Sequence, residues 1–372
     1  MHKRSRSPQS AVLAIAIVLA VFDLLLEVTG LIVRYGPGQS GLDLEWEIQP
    51  GVLIPILIVI AIYGYGLSRS SDLSADNGKG RIVAFFTGIF LLLVALQSPF
   101  DGIADRLFVA HQVQHLTLAM SVPLLIVLAR PTATLRRGVP IAIKRNVLTP
   151  LFAHPRYRAL RVFAHPVFVT VMYIGLNYFW MIPRFHDAAL QSELVHAVLH
   201  ASLFIAGLAF YSRMLDRRPY PLSASLGMRL FLLWLAAMSE ILLGAFLAFK
   251  SVPLYSAYGS GPHLFGISPL DDEAYGGLTM WIPGGGMLAL SAIFVIDHLG
   301  FDEERRLASR ASTNNFESGR SVARRQTDNR KMAFGLASFA VLVMTMTVAA
   351  AALYHHAGNR LFDTAAIATV VR

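Results

Sequence analysis

The sequence predicts an all-α fold: a polytopic bundle of about nine transmembrane helices, N-terminus inside and C-terminus outside. Three observations predict it. Hydrophobic residues make up 55% of the 372 residues and charged residues only 15%, with a mean hydropathy of +0.55; a soluble domain carries about a quarter charged residues. Apolar runs recur along the whole chain at lengths near the ~20 helical residues that cross ~30 Å of hydrocarbon. Basic residues collect in alternate connecting segments, as they do in cytoplasmic loops.

Taken in order, the first run, 11–33, follows HKRSRS, and its length, its Asp23 and Glu27 and the lack of an A-x-A-like site mark a retained helix rather than a cleaved signal. With its outer loop it forms an N-terminal unit, 1–45. A core over 46–300 then holds seven runs: 50–67, 82–98, 107–129, 165–182, 189–211, 226–249 and 276–296. The first two of these are short, and Pro55 interrupts the earlier one near its start. A polar, basic segment, 301–332, reads as a cytoplasmic linker to a last helix, 333–353, within a C-terminal unit 333–372.

Orientation follows from the loops. The N-terminus, 69–81, 130–161, 213–218 and 305–331 hold 25 of the 32 Lys and Arg residues, and Arg229 belongs to the same side. The intervening loops carry Asp43, Glu45, Glu47, Asp101, Asp105, Asp271, Asp272 and Glu273. The net charge of +9 is therefore spread between spans, which argues for a lipid bilayer and against a nucleic-acid partner. With no cysteine, disulfides and thiolate metal sites are excluded. No phosphate loop, hydrolase triad or zinc-protease motif is present, so no enzymatic turnover is expected; Gly284–Gly286, inside a span, reads as a helix break or close packing.

The chemistry lies in polar residues inside the spans. HQVQH (111–115) and HAVLH (196–200) each place two imidazoles one turn apart on one helix face. With this topology His111, His115, His196 and His200 fall in the outer half of the membrane, as do Glu240, Asp272, just before the eighth span, and Met280 with Trp281. Imidazole suits copper, zinc, iron and nickel, and thioether sulfur favours Cu(I). Intramembrane ionisable residues are costly and usually functional. Each also has a plainer reading: interhelical hydrogen bonds for the histidines, a solvated charge or helix cap for Asp272, an interfacial anchor for Trp281, and packing for Met120 and Met238. Gln112 and Gln114 are candidates to fix imidazole tautomers. His154, His165, His186 and His298 read as surface residues.

The run SPFDGIADRLFVAHQVQHLTLAMSVPLLIVLARP (98–131) resembles the signature of the bacterial CtaG-type cytochrome c oxidase assembly factors, distinct from the single-span, cysteine-bearing chaperone of the same name. Trp46 with Pro50, HAVLHASLFIAGLAFY (196–211) and LDDEAYGGLTMWIPGG (270–285) extend the resemblance over about 45–295. It implies assembly of a haem–copper oxidase in the bacterial inner (plasma) membrane, oxidase subunits as partners, and copper as the metal. The family's polar positions fall here on His111, Gln114, His115, His196, His200, Asp272, Met280 and Trp281; Glu273 and Ala274 stand where the family carries glutamines. The expected function is copper binding at a His/Met/Asp site near the periplasmic face, with aid to copper insertion. Two alternatives stay open: a copper or proton-coupled transporter using Asp23, Glu27 and Glu240, which needs a second polar cluster deeper in the membrane, and a b-type haem protein, which needs histidines at both depths.

Overall fold

A computed structural model of the chain describes residues 49–69, 78–149, 164–218, 222–259 and 266–296. The predicted spans 11–33 and 333–353, the linker between core and last helix, Asp23, Glu27, His154 and His298 lie outside these residues. So do both termini, whose sidedness therefore stays an expectation. Every regular element among the described residues is helical. In chain order the main helices are α1 (Pro50–Ser68), α2 (Lys79–Gln97), the short α3 (Pro99–Ala104), α4 (Phe108–Ala129), α5 (Thr132–Gly138), α6 (Pro166–Trp180), α7 (Pro183–Leu190), α8 (Glu193–Met214), α9 (Leu226–Phe249), the short α10 (Ser256–Gly259) and α11 (Pro269–Val295).

Six of these, α1, α2, α4, α8, α9 and α11, are long and apolar enough to cross a membrane; α6 and α7, bent by 74° at a short break, add a seventh if the pair is one broken span. The chain is a multi-pass membrane protein, and its described spans fall on the apolar runs between 50 and 296. Two details differ from expectation. α1 continues through Pro55 without a break. α11 begins at Pro269 rather than at 276, because the Ser268 hydroxyl accepts the Asp271 N–H (3.2 Å) and proline suits the first helical position. Asp272 is thereby inside the first turn of the helix.

α4 is the central element: 78% of its apolar window is buried, against 17% for α1. It packs on α11 with its first half, on α2 with its second, and on α8 around its middle. The middle is where the helix widens, into a π turn at Thr117–Ser121. Pro123 lacks the N–H that would bond the Ala119 carbonyl, and the ladder shifts register to compensate. Pro283 does the same to α11 at Met280–Gly284, so the glycine run bends the ladder without breaking the helix.

Lipid offers little apolar driving force between helices, so close approach of small residues matters more than in water. A Cβ at Gly207 of α8 would stand 2.2 Å from the Ala119 carbonyl oxygen, at the π turn of α4. Glycine there lets the two histidine-bearing helices touch. Gly244 of α9 and Gly277 of α11 are reciprocal: a Cβ on either would lie 2.5 or 2.6 Å from the other's carbonyl oxygen.

Arg229 is more than a loop charge. It is buried at the α8–α9 turn, donating to the carbonyls of Met214 (2.9 Å), Ala224 (2.9 Å) and Asp216 and to the Ser223 hydroxyl (2.7 Å). A cation there satisfies carbonyls at the C-terminus of α8, where the helix dipole is negative.

Candidate metal centre

The one-turn spacing within each helix brings His111 and His115 to 4.3 Å between ring centroids, and His196 and His200 to 4.2 Å. The Gly207 contact then sets α8 against α4 so that the two pairs face each other. His111 lies 5.3 Å from His196 and 5.8 Å from His200, and His115 lies 5.8 Å from His200. One nitrogen each from His111, His115 and His200 fall within 4.8 Å of one another. A second set, also within 4.8 Å, joins His111 to His196 and to an Asp105 carboxylate oxygen.

The donors are available. Both ring nitrogens of His111 and the Nε2 atoms of His115, His196 and His200 are buried without a hydrogen-bond partner among the described residues. An unpartnered buried polar group costs about 1–3 kcal/mol, and native proteins keep few of them. Metal–imidazole bonds of ~2.0 Å place neighbouring ligand nitrogens up to about 4 Å apart, within small side-chain adjustments of what is seen here. The residues present fit a borderline metal ion such as copper or zinc.

His186, read from the sequence as a surface residue, is fully buried in the same cluster, 5.1 Å from His111 and 6.1 Å from His115. The bend after Trp180, with Pro183 opening α7, turns it inward. Its nitrogens are occupied: Nδ1 donates to the Trp180 carbonyl (3.0 Å) and Nε2 accepts from the Tyr258 hydroxyl (3.0 Å). It is a wall of the site with no free lone pair.

Tyr258 and Tyr255 come from the segment after α9, fastened from two sides. The buried Glu273 pairs with Lys250 and accepts the N–H groups of Leu254 and Tyr255, at 3.0 Å for the latter. Asp187 accepts from Ser256 through its hydroxyl (2.7 Å) and its N–H. Tyr255 thus stacks on Phe108 at 4.6 Å and donates to the Met181 carbonyl (2.8 Å). Burial first, and the nearby carboxylates second, push both phenols upward, so they remain neutral donors.

The other expected site residues are placed differently. Asp272 is buried, but its carboxylate accepts the N–H groups of Phe108 (2.7 Å) and Val109 (3.0 Å), capping α4 where Leu107 offers no side-chain cap. Met280 is buried among Phe108, Met181, Leu243, Leu247, Tyr255 and Tyr258. Trp281 is not an interfacial anchor: it is 1% exposed, with its Nε1 unpartnered, packed where α9 and α11 cross. Gln114 is turned to other helices: its amide donates to the Ala95 carbonyl (2.7 Å) and to Asp101, tying α4 to α2 and α3. Gln112 is buried with neither amide atom partnered. Glu240 is buried on α9, 4.0 Å from where a Gly284 Cβ would be.

Two residues of the cluster escaped the sequence reading. Asp105 was seen only as an acidic loop residue, although its place six positions before His111, across the non-helical Leu107, is the available signal. His186 gave no signal beyond the Trp-Met-Ile-Pro break preceding it.

Uncharacterized proteins of Mycobacterium bovis and Mycobacterium tuberculosis are each 24% identical to the chain over 264 residues, covering 68% of this chain and 39% of theirs. An uncharacterized protein of Mycobacterium leprae is 24% identical over 209 residues, covering 54% of this chain and 31% of its own length. The chain thus spans about two fifths or less of the curated relatives it matches. No solved structure matches it. The profile of the cytochrome c oxidase caa3 assembly factor family matches residues 61–299, which takes in all five clustered histidines and Asp105. The chain belongs to the cytochrome c oxidase caa3 assembly factor family.

Proposed function

We propose that the protein binds copper at the histidine cluster, near the outer face of the membrane, and passes it as cargo to subunits of the haem–copper oxidase during assembly. The observation that supports this most is the convergence of four histidines from two facing helices whose Nε2 atoms have no partner among the described residues. Family membership supports the link to oxidase assembly, and the alternation of basic loops supports the outer placement. The cluster argues against a bis-histidine haem. The His111 ring has His115, His186, His196, His200 and Tyr258 within 6.3 Å, leaving no slab for a porphyrin between opposed axial imidazoles.

The test is metal content and optical spectrum of the purified protein after copper loading, beside the double variant His111→Ala/His115→Ala. Copper held by the wild type and lost by the variant, with no Soret band, is the expected result. A Soret band points to electron transfer instead. Wild-type protein that retains no copper leaves the histidines as a structural feature of a scaffold and overturns the proposal.

A further inference from the structure

The two sets of converging ligand atoms share a residue. Asp105, His196 and His111 form one set; His111, His115 and His200 form the other. They differ in access and in chemistry. The Asp105 side chain is 50% exposed and that of His196 16%, whereas His111, His115 and His200 are all buried. The accessible set mixes a carboxylate with two imidazoles, which favours a hydrated divalent ion; the buried set is all imidazole. His111 belongs to both sets, and neither of its ring nitrogens has a partner among the described residues, so the one that carries the lone pair is open to a metal. His196 Nδ1 stands 3.9 Å from an Asp105 carboxylate oxygen, which keeps the two side chains of this set side by side.

We infer that the centre is a two-station relay for a divalent metal ion, with Asp105 and His196 as the acquisition station, His115 and His200 as the holding station, and His111 as the ligand common to both. An ion arriving from water meets the carboxylate first, exchanges its waters for His196 and His111, and then trades Asp105 and His196 for His115 and His200 without leaving His111. Each exchange keeps at least one protein ligand on the ion, and no change of oxidation state is involved. Ligand exchange in steps spares the full dehydration that a buried three-histidine pocket would otherwise demand at once. The relay rests on the copper reading given above.

Freeze-quench EPR with Cu(II) alone as the probe, on the full chain in lipid nanodiscs, tests it. Wild type should give an early signal with coupling to two nitrogens that converts to one with three. Asp105→Asn, conservative and at a half-exposed position, should load at least tenfold more slowly while the three-nitrogen signal still forms. His115→Ala/His200→Ala should stop at the early signal, and His196→Gln should behave like Asp105→Asn. Loading of both single variants at the wild-type rate, or a single wild-type signal from the earliest time, overturns the relay and leaves the copper site standing. Copper present by mass spectrometry but without these Cu(II) signals also overturns the relay. Wild-type protein with no bound copper at all removes the underlying reading as well.

Discussion

Asp272 offers the sharpest separation between a ligand and a structural role. Its two oxygens accept the first N–H groups of α4 at 2.7 and 3.0 Å, in a buried position. Hydrogen bonds to a charged acceptor contribute about 1.5 kcal/mol each at the low end, and a carboxylate at a helix N-terminus gains further from the dipole. Asp272→Ala removes both bonds and should cost about 3 kcal/mol; Asp272→Asn keeps one acceptor and should cost about half that. At roughly 1.3 °C per kcal/mol for a chain of this size, the thermal midpoint should fall by about 4 and 2 °C respectively. The assay is intrinsic tryptophan fluorescence on heating in detergent, paired with copper stoichiometry at saturation. The Asn variant should bind as much copper as wild type. Loss of copper with an unchanged midpoint would refute the capping argument and restore Asp272 as a ligand.

Three further outcomes are expected. Gly207→Leu should push α8 from the π turn of α4, since even a Cβ would lie 2.2 Å from the Ala119 oxygen; overpacking of this kind costs about 1–3 kcal/mol, and a chelator competition should show at least tenfold weaker copper binding. His111→Leu should leave the copper-free protein as stable as wild type or more so, because it removes two unpartnered nitrogens, and should abolish the rise in thermal midpoint that copper gives wild type. On the α8–α9 turn, burial raises the Asp216 carboxyl, but hydrogen bonds and charge from Arg218, with Arg229 behind it, outweigh this and hold it below the usual range. The stability it adds is present above its unfolded pKa of about 3.9 and disappears as pH falls through the lower folded value, so wild type and Asp216→Asn should differ in denaturant unfolding at neutral pH and converge in acid.

The helices and the histidine pairs were legible because both rest on local periodicity. A run of apolar residues and an i, i+4 spacing are visible without knowing any neighbour. What brings the pairs together was not legible, because it depends on contacts between helices. The facing of HQVQH and HAVLH needs Gly207 against a carbonyl that Pro123 has displaced from its ladder, and neither residue advertises the other. From the sequence Asp272 stood between a metal ligand and a helix cap. Its partners are backbone groups 163 and 164 residues earlier, which no pattern along the chain reveals. His186 was missed because α7 turns inward at a 74° bend whose direction the sequence does not encode locally.

The cluster contains its own comparison between histidines that hold the fold and histidines left open. His186 is as buried as its neighbours and touches the same rings, yet both of its nitrogens are bonded. His111, fully buried beside it, has neither. If packing alone had shaped this region, the carbonyls and hydroxyls that satisfy His186 would be matched by others for His111, His115, His196 and His200. The nitrogens instead have no partner among the described residues, at a cost that, at about 1–3 kcal/mol apiece, rivals the ~5–15 kcal/mol net stability of a typical folded domain. Apolar replacements of similar size would be cheaper for a structural wall in lipid, where unmet polar groups are least tolerated. A bundle that tolerates this cost at converging nitrogens, and at one neighbouring histidine avoids it, has the energetic profile of a site built to be completed by something that brings its own bonds.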